Sequence, residues 1–273
     1  HERPKGSRLQ IFLAFSSDQT VNFESIDALM QASPLADYYK IAPIEDVPVC
    51  LRKSFTNILL VKKQEQTRLS TGDTLFTVEG WKSNPKSRLY EMEKTAEALN
   101  EDMVYHISIY GSDTYKTAQQ ALQKPIAILR EKALGRSGQI TLADNKNRPR
   151  DVSAEETLRI YEEFLSDVAK SPCFFANILL YANQKSSAHF LMDAVCGEAI
   201  KEGTCEIQEI PSTATPLELQ EVNQPYCNLL PPSLAFWPTA YTLDELSSFF
   251  RLPILFDGEN IEIKKETAPK LEQ

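Results

Sequence analysis

A chain of 273 residues with 42% hydrophobic and 25% charged side chains can bury a sizeable core in one large or two ordinary domains, which excludes wholesale disorder. The formal net charge of -9 argues against a free-standing nucleic-acid binder, because such proteins draw most of their affinity from neutralising phosphates. The five cysteines include no C-x-x-C pair and the three histidines no H-E-x-x-H pattern, so neither a disulfide scaffold, a zinc ribbon nor another metal site is signalled.

Reduced thiols point to a cytoplasmic setting, and no apolar run has the length of a membrane span or of a signal peptide. The first residue is His1 rather than Met, which reads as a piece of a longer protein.

In chain order, "RLQIFLAF" (8–15) has a strand pattern, and Asn22 can cap a helix whose apolar positions are Phe23, Ile26, Leu29 and Met30. "FTNILLVKK" and "DTLFTVEGW" read as strands of a hairpin, with the polar "QEQTRLSTG" between them as the turn. Asn84 as cap and Pro85 at the first helical position predict a helix over "NPKSRLYEMEKTAEALN". A strand at 104–110 and a helix at 114–134 follow, with a kink or break expected at Pro125.

The segment "GRSGQITLADNKNRPRDVS" reads as a long surface loop carrying the basic cluster Lys146, Arg148 and Arg150. Next comes a helix opened by Ser153 and Glu156 in capping-box register, with Leu158, Tyr161, Phe164, Leu165 and Val168 as its apolar face. "CFFANILLYA" reads as a buried strand, "SAHFLMDAVCGEAIKEG" as a helix closed by Gly203, and "CEIQEI" as a further strand.

Between Pro211 and Pro238 six prolines predict an extended connector. It leads to a short helix, "YTLDELSSFFRLP", with a Thr242–Glu245 capping box and Leu246, Phe249 and Phe250 as its apolar face. "ILFDGENIEIKKE" then reads as a hairpin around Asp257-Gly258.

This alternation argues an α/β or α+β fold of mixed sheets with packed helices, for which two ferredoxin-like β-α-β halves are one economical arrangement. The expected division is an accessory domain at 1–210, with a sub-boundary in the loop at 135–152, and a Pro-rich connector with short helix and hairpin at 211–273.

The strand, turn, Lys-Thr and helix of "YGSDTYKT" have the outline of a phosphate loop. That loop needs G-x-x-x-x-G-K-[ST], with backbone N–H groups wrapped round the phosphates by the two glycines. Aligned on Lys116-Thr117, those glycine positions are held by Tyr110 and Tyr115, and Gly111 is one place out of register. A strand end with Ser112 or Asp113 capping the next helix fits better. Asp257 after "PILF" suits a hairpin turn better than a magnesium-holding carboxylate. There is no G-x-S-x-G elbow, and Cys196 with His189 on one helix reads as packing rather than as a thiol–imidazole pair. Glu155, Glu156, Glu162 and Glu163 read as a solvated helix face. No catalytic, cofactor or metal residue is therefore assigned.

The C-terminal pattern "TAYTLDELSSFFRLPILFDGENIEIKKE", through Thr242, Glu245, Leu246, Phe250, Arg251, Leu252 and Pro253, resembles the segment ahead of the motor domain in HerA/FtsK-type ATPases and the related conjugation and type IV secretion ATPases. The upstream region with "YEEFLSDVAKSPCFFANILLYA" is similar, more loosely, to the accessory domain of such proteins. The resemblance implies a non-catalytic accessory or assembly domain of a longer translocating ATPase, with ATP and magnesium held elsewhere in the parent. It implies other protein subunits as partners in a homo-oligomer, and nucleic acid met only indirectly or through the basic loop. Phe249, Phe250 and Arg251 are the expected interface residues, since aromatic and Arg side chains favour interfaces. A protein-binding adaptor without a motor, or an enzyme whose site is dispersed in sequence, are the alternatives.

Overall fold

The computed structural model describes residues 12, 23–33, 36, 42–44, 46–70, 73–110, 114–134, 151–211, 213–216, 218 and 228–250. The strand at 8–15 (Phe12 apart), the loop at 135–150, Gly111 to Asp113 and the hairpin at 254–266 lie outside the described residues. Two compact units emerge, one of residues 1–13 and 44–251 and one of residues 14–43 and 252–273. In the smaller unit the expected helix is present as α1 (Phe23–Gln31), with none of its residues buried.

The larger unit is an α+β layer structure in which every strand pairing among the described residues is antiparallel. After α2 (Val49–Arg52), its axis is β1 (Asn57–Ser70), a strand of 14 residues. The predicted turn "QEQTRLSTG" is mostly strand: β1 continues to Ser70, and β2 (Asp73–Glu79) returns along it from Ser70↔Asp73 to Gln64↔Glu79. Thr67, Arg68 and Leu69 face Phe76, Leu75 and Thr74 across the ladder, so cross-strand pairing overrides local polarity. Nearer its start, β1 pairs with β5 (Cys173–Ala182) and β7 (Cys205–Ile210). β4 (Val104–Tyr110) flanks β5, and β8 (Ala240–Thr242) pairs with the first residues of β5.

Alternation along the strands separates two faces. Leu59 and Val61 of β1 share a cluster with Ala176, Ile178, Leu180 and Ala182 of β5. Covering that face are α3 (Tyr90–Leu99) and α6 (Lys185–Ala199) through Met92, Leu191, Met192 and Val195. Ile58, Leu60, Leu179 and Tyr181 point the other way and pack with Phe55, Ile210 and Ala214. α4 (Thr114–Ala133) and α5 (Val152–Lys170) pack on each other. They bury Ala118, Leu122, Ile126 and Leu129 with Tyr161, Phe164 and Val168 against Val78 and Trp237.

Several local expectations are corrected by tertiary contacts. α3 starts at Tyr90 rather than beside Pro85, and its first turn is capped from another helix, Glu198 accepting from the N–H groups of Arg88 (2.6 Å) and Glu91 (2.9 Å). α4 runs through Pro125 as one helix. The cap of α5 is Asp151, accepting from Ala154 N at 3.0 Å, rather than Ser153. Gly203 does not close α6, which ends at Ala199; with φ at 99° it turns β6 (Ile200–Glu202) into β7. A Cβ there would lie 2.8 Å from the Gly80 carbonyl oxygen, so only glycine fits. β6 pairs with β3 (Lys82–Ser83) in a small second sheet.

Candidate functional site

The described part of the pattern that carries the resemblance, Thr239 to Phe250, contains β8, which pairs with β5, and α7 (Leu243–Ser247), whose Leu246 packs in the core cluster. The Thr242–Glu245 capping box is formed: Thr242 Oγ1 accepts from Glu245 N (3.3 Å) and Glu245 Oε2 accepts from Thr242 N (2.8 Å). A five-residue helix leaves its last carbonyls without intrahelical donors. Leu246 O and Ser247 O accept from the N–H groups of Phe249 (3.0 Å) and Phe250 (3.4 Å), and three buried or half-buried side chains donate to other carbonyls of the helix and the turn after it: Trp81 Nε1 to Glu245 O (3.3 Å), Ser87 Oγ to Ser248 O (3.2 Å) and Tyr105 OH to Phe249 O (2.8 Å). Tyr241 donates to Val61 O at 3.2 Å, and burial keeps its phenol, like that of Tyr105, protonated well above the usual range.

Two adjacent lysines of β1 hold the two ends of this segment, and sequence reasoning missed both. Lys62 and Lys63 have 0% and 2% relative exposure, where a strand-ending Lys-Lys would be expected in solvent. Lys63 Nζ meets Glu245 Oε2 at 2.8 Å and lies 5.4 Å from the Tyr241 ring centroid and 5.6 Å from that of Phe164. Its ammonium is thus compensated by one carboxylate and two aromatic faces.

Lys62 Nζ meets Glu65 Oε1 at 2.5 Å and Glu206 Oε1 at 3.4 Å. Residues three apart on a regular strand point to opposite faces, so the Lys62–Glu65 contact requires β1 to coil between them. The pairing shows where: β1 lies against β7 up to Lys63 and against β2 from Gln64 onward. Glu65 also accepts from the backbone N–H groups of Asn228 (3.0 Å), Leu229 (2.6 Å) and Leu230 (3.2 Å). Burial alone would raise the Glu65 carboxyl, but Lys62 and the Leu229 and Asn228 amides outweigh it and hold the pKa below the ordinary value. Asn228 Nδ2 donates in turn to Glu206 Oε1 at 2.9 Å.

The stretch 228–250 is therefore clamped near its start by Lys62–Glu65 and near its end by Lys63–Glu245. Between the clamps, Leu234 and Trp237 are buried against α4 and α5, and Trp237 stacks on Phe164 with centroids 4.7 Å apart. The part of the expected connector at 228–238 is core rather than spacer.

The predicted interface residues separate. Phe249 is fully buried against Trp81, ring centroids 5.4 Å apart, and is no surface contact, whereas Phe250 is 45% exposed. The turn after α7 puts the Phe249 ring in the cluster with Trp81, Tyr241 and Leu246, and leaves the next aromatic facing outward. Arg251, Lys146, Arg148 and Arg150 lie outside the described residues. Lys116 and Thr117 sit in the first turns of α4 with exposed side chains. His189 pairs with Glu209 at 3.2 Å while Cys196 is buried in the core, so the two form no catalytic pair. The acidic helix face is partly ion-paired, with Glu156 to Arg68, Glu162 to Arg130 and Glu163 to Arg159.

Among the described residues no group of three His, Cys, Asp or Glu could hold a metal ion, and no helix is long and apolar enough to cross a membrane. No family model matches the chain. No curated protein and no solved structure matches it either.

The arrangement offers no nucleophile beside a base. Chemically it is an anchor: charged and hydrogen-bonded groups hold a chain segment to a sheet and present Phe250 at its end.

Proposed function

We propose that this chain is a non-catalytic accessory or assembly domain of a longer HerA/FtsK-like translocating ATPase, mediating contacts with other subunits in the cytoplasm. The observation that carries this reading is the built-in C-terminal segment. Thr242, Glu245 and Leu246, on which the resemblance rests, are a capping box, a buried ion pair with Lys63 and a buried core residue. A domain that passes force or position to a following motor needs its exit fixed to its own core, and such an anchor supplies that. Phe250, exposed beside Arg251, is the side chain placed for contact with a neighbouring domain or subunit. The acidic net charge fits protein partners better than direct nucleic-acid binding. ATP and magnesium belong, in this reading, to the parent's motor.

Two results test it. The coding sequence after Gln273 is expected to continue into a G-x-x-x-x-G-K-[ST] loop; a stop codon directly there would contradict the reading. Titration calorimetry of this chain with ATP and magnesium is expected to give no heat of binding. Binding that Lys116→Ala abolishes would instead place a nucleotide at the start of α4 and overturn it.

A further inference from the structure

β4 is bonded along one side only. Its residues Val104 to Tyr110 pair with Tyr181 to Phe175 of β5, and among the described residues no strand lies along its other edge. Exposure marks the same edge: β5 is buried throughout from Ala176 to Ala182, whereas β4 is half-buried along its length and Ile109 is 40% exposed. The unpaired N–H and C=O groups of such an edge are a template for another strand, and native edges are guarded by charged residues, proline or a bulge. The stretch "VYHISIY" has none of these guards: it holds no Lys, Arg, Asp, Glu or Pro, and its ladder with β5 runs without a register shift.

We propose that β4 is a homodimer contact, in which the β4 edges of two copies pair antiparallel about a twofold axis at Ile107 and join the two sheets into one. The strand's own sequence decides the occupant. A twofold axis perpendicular to the sheet keeps each face on its own side, and placed at Ile107 it pairs all seven residues. On one face Tyr105 meets the partner's Ile109, and Ile107 meets the partner's Ile107. On the other face Val104 meets the partner's Tyr110, and His106 meets the partner's Ser108. Aromatic rings against β-branched side chains and a hydroxyl against an imidazole are favourable cross-strand pairs, and one heptapeptide supplies both members of each. Charge points the same way. Two chains of net charge -9 repel one another, so a contact between copies needs a seam free of acidic residues, and β4 is such a seam. The contact stands on this strand alone, does not use Phe250, and does not depend on the ATPase reading.

Sedimentation velocity of the whole chain from about 1 μM to about 100 μM tests it. Expected is a weight-average mass that rises from that of one chain toward twice that value. Amide exchange at 104–110, a reading that needs no variant, should be slower at the high concentration than at the low one. Ile109→Lys, at the most exposed position of the strand, should leave a monomer at every concentration, with near-ultraviolet circular dichroism like that of the wild type. Phe250→Ala should keep the dimer. A wild type that stays monomeric at the top concentration would overturn the proposal, including one whose 104–110 amides are protected by another segment of its own chain. So would a dimer whose 104–110 amides exchange alike at both concentrations, or one that Ile109→Lys preserves and Phe250→Ala abolishes.

Discussion

Replacing Glu65 with Gln should destabilise the fold by about 3–5 kcal/mol, the loss typical of removing one partner from a buried ion pair. The Lys62 ammonium would lose its 2.5 Å carboxylate and keep the longer contact to Glu206 at 3.4 Å, while the three backbone N–H groups at 228–230 would share a neutral acceptor. The double variant Lys62→Met/Glu65→Gln removes both charges and keeps an acceptor for those N–H groups, so it should lie within about 1–2 kcal/mol of wild type. Urea unfolding of the four proteins of this cycle measures the coupling.

The effect of Glu65 should also depend on pH. Its folded pKa is depressed below the ordinary value of 4.5, so its contribution is fully present above that value. As pH falls through the folded pKa the contribution is lost, and the gap between wild type and Glu65→Gln should narrow in acid. A cycle with no coupling, or a gap that widens in acid, would show that the Lys62–Glu65 pair does not hold the segment.

Phe249→Ala should cost about 3–5 kcal/mol, as large-to-small changes of a fully buried aromatic do. The ring lies against Trp81 within the cluster that also holds Tyr241 and Leu246. A domain of ordinary stability would be left marginal. Phe250→Ala, one residue on, should change stability by no more than about 0.5 kcal/mol, because nearly half of that residue is already in solvent. Thermal or urea unfolding of both variants checks the contrast. Equal effects would mean that the two aromatics are not divided between core and surface.

Much of this arrangement was legible in the residues. Apolar runs marked β4, β5 and the first half of β1, α4 and α6 were read as helices, the apolar face Leu158, Tyr161, Phe164, Leu165 and Val168 marked α5, and Thr242 with Glu245 named the α7 cap correctly. Where reading failed, the deciding partner came from far along the chain. Asn84-Pro85 is a sound local start for a helix, but Glu198 of α6 caps α3 five residues later. Phe249 and Phe250 carry the same local signal, and the distant Trp81, with which the Phe249 ring packs, is not visible in that window.

The largest omission was the Lys62-Lys63 pair. Burying an uncompensated charge is costly, so lysines at the end of an apolar run default to solvent. The compensation comes from Glu245, Glu206 and the coil of β1 that brings Glu65 to Lys62, and none of these is visible in a window around the lysines. A faint signal existed: Gln64, Glu65 and Gln66 continue a strand rather than open a turn, and a strand that carries lysines into a core must carry their partners as well.

The most direct test of the anchored segment is amide hydrogen exchange of the wild-type chain, read by mass spectrometry over residues 240–250. If β8 and α7 belong to the core through Lys63–Glu245 and the three side-chain donors, these amides should exchange as slowly as those of β5, and Glu245→Gln should speed them while β5 stays protected. Exchange at 240–250 within seconds in the wild type, against a protected β5, would contradict the anchor.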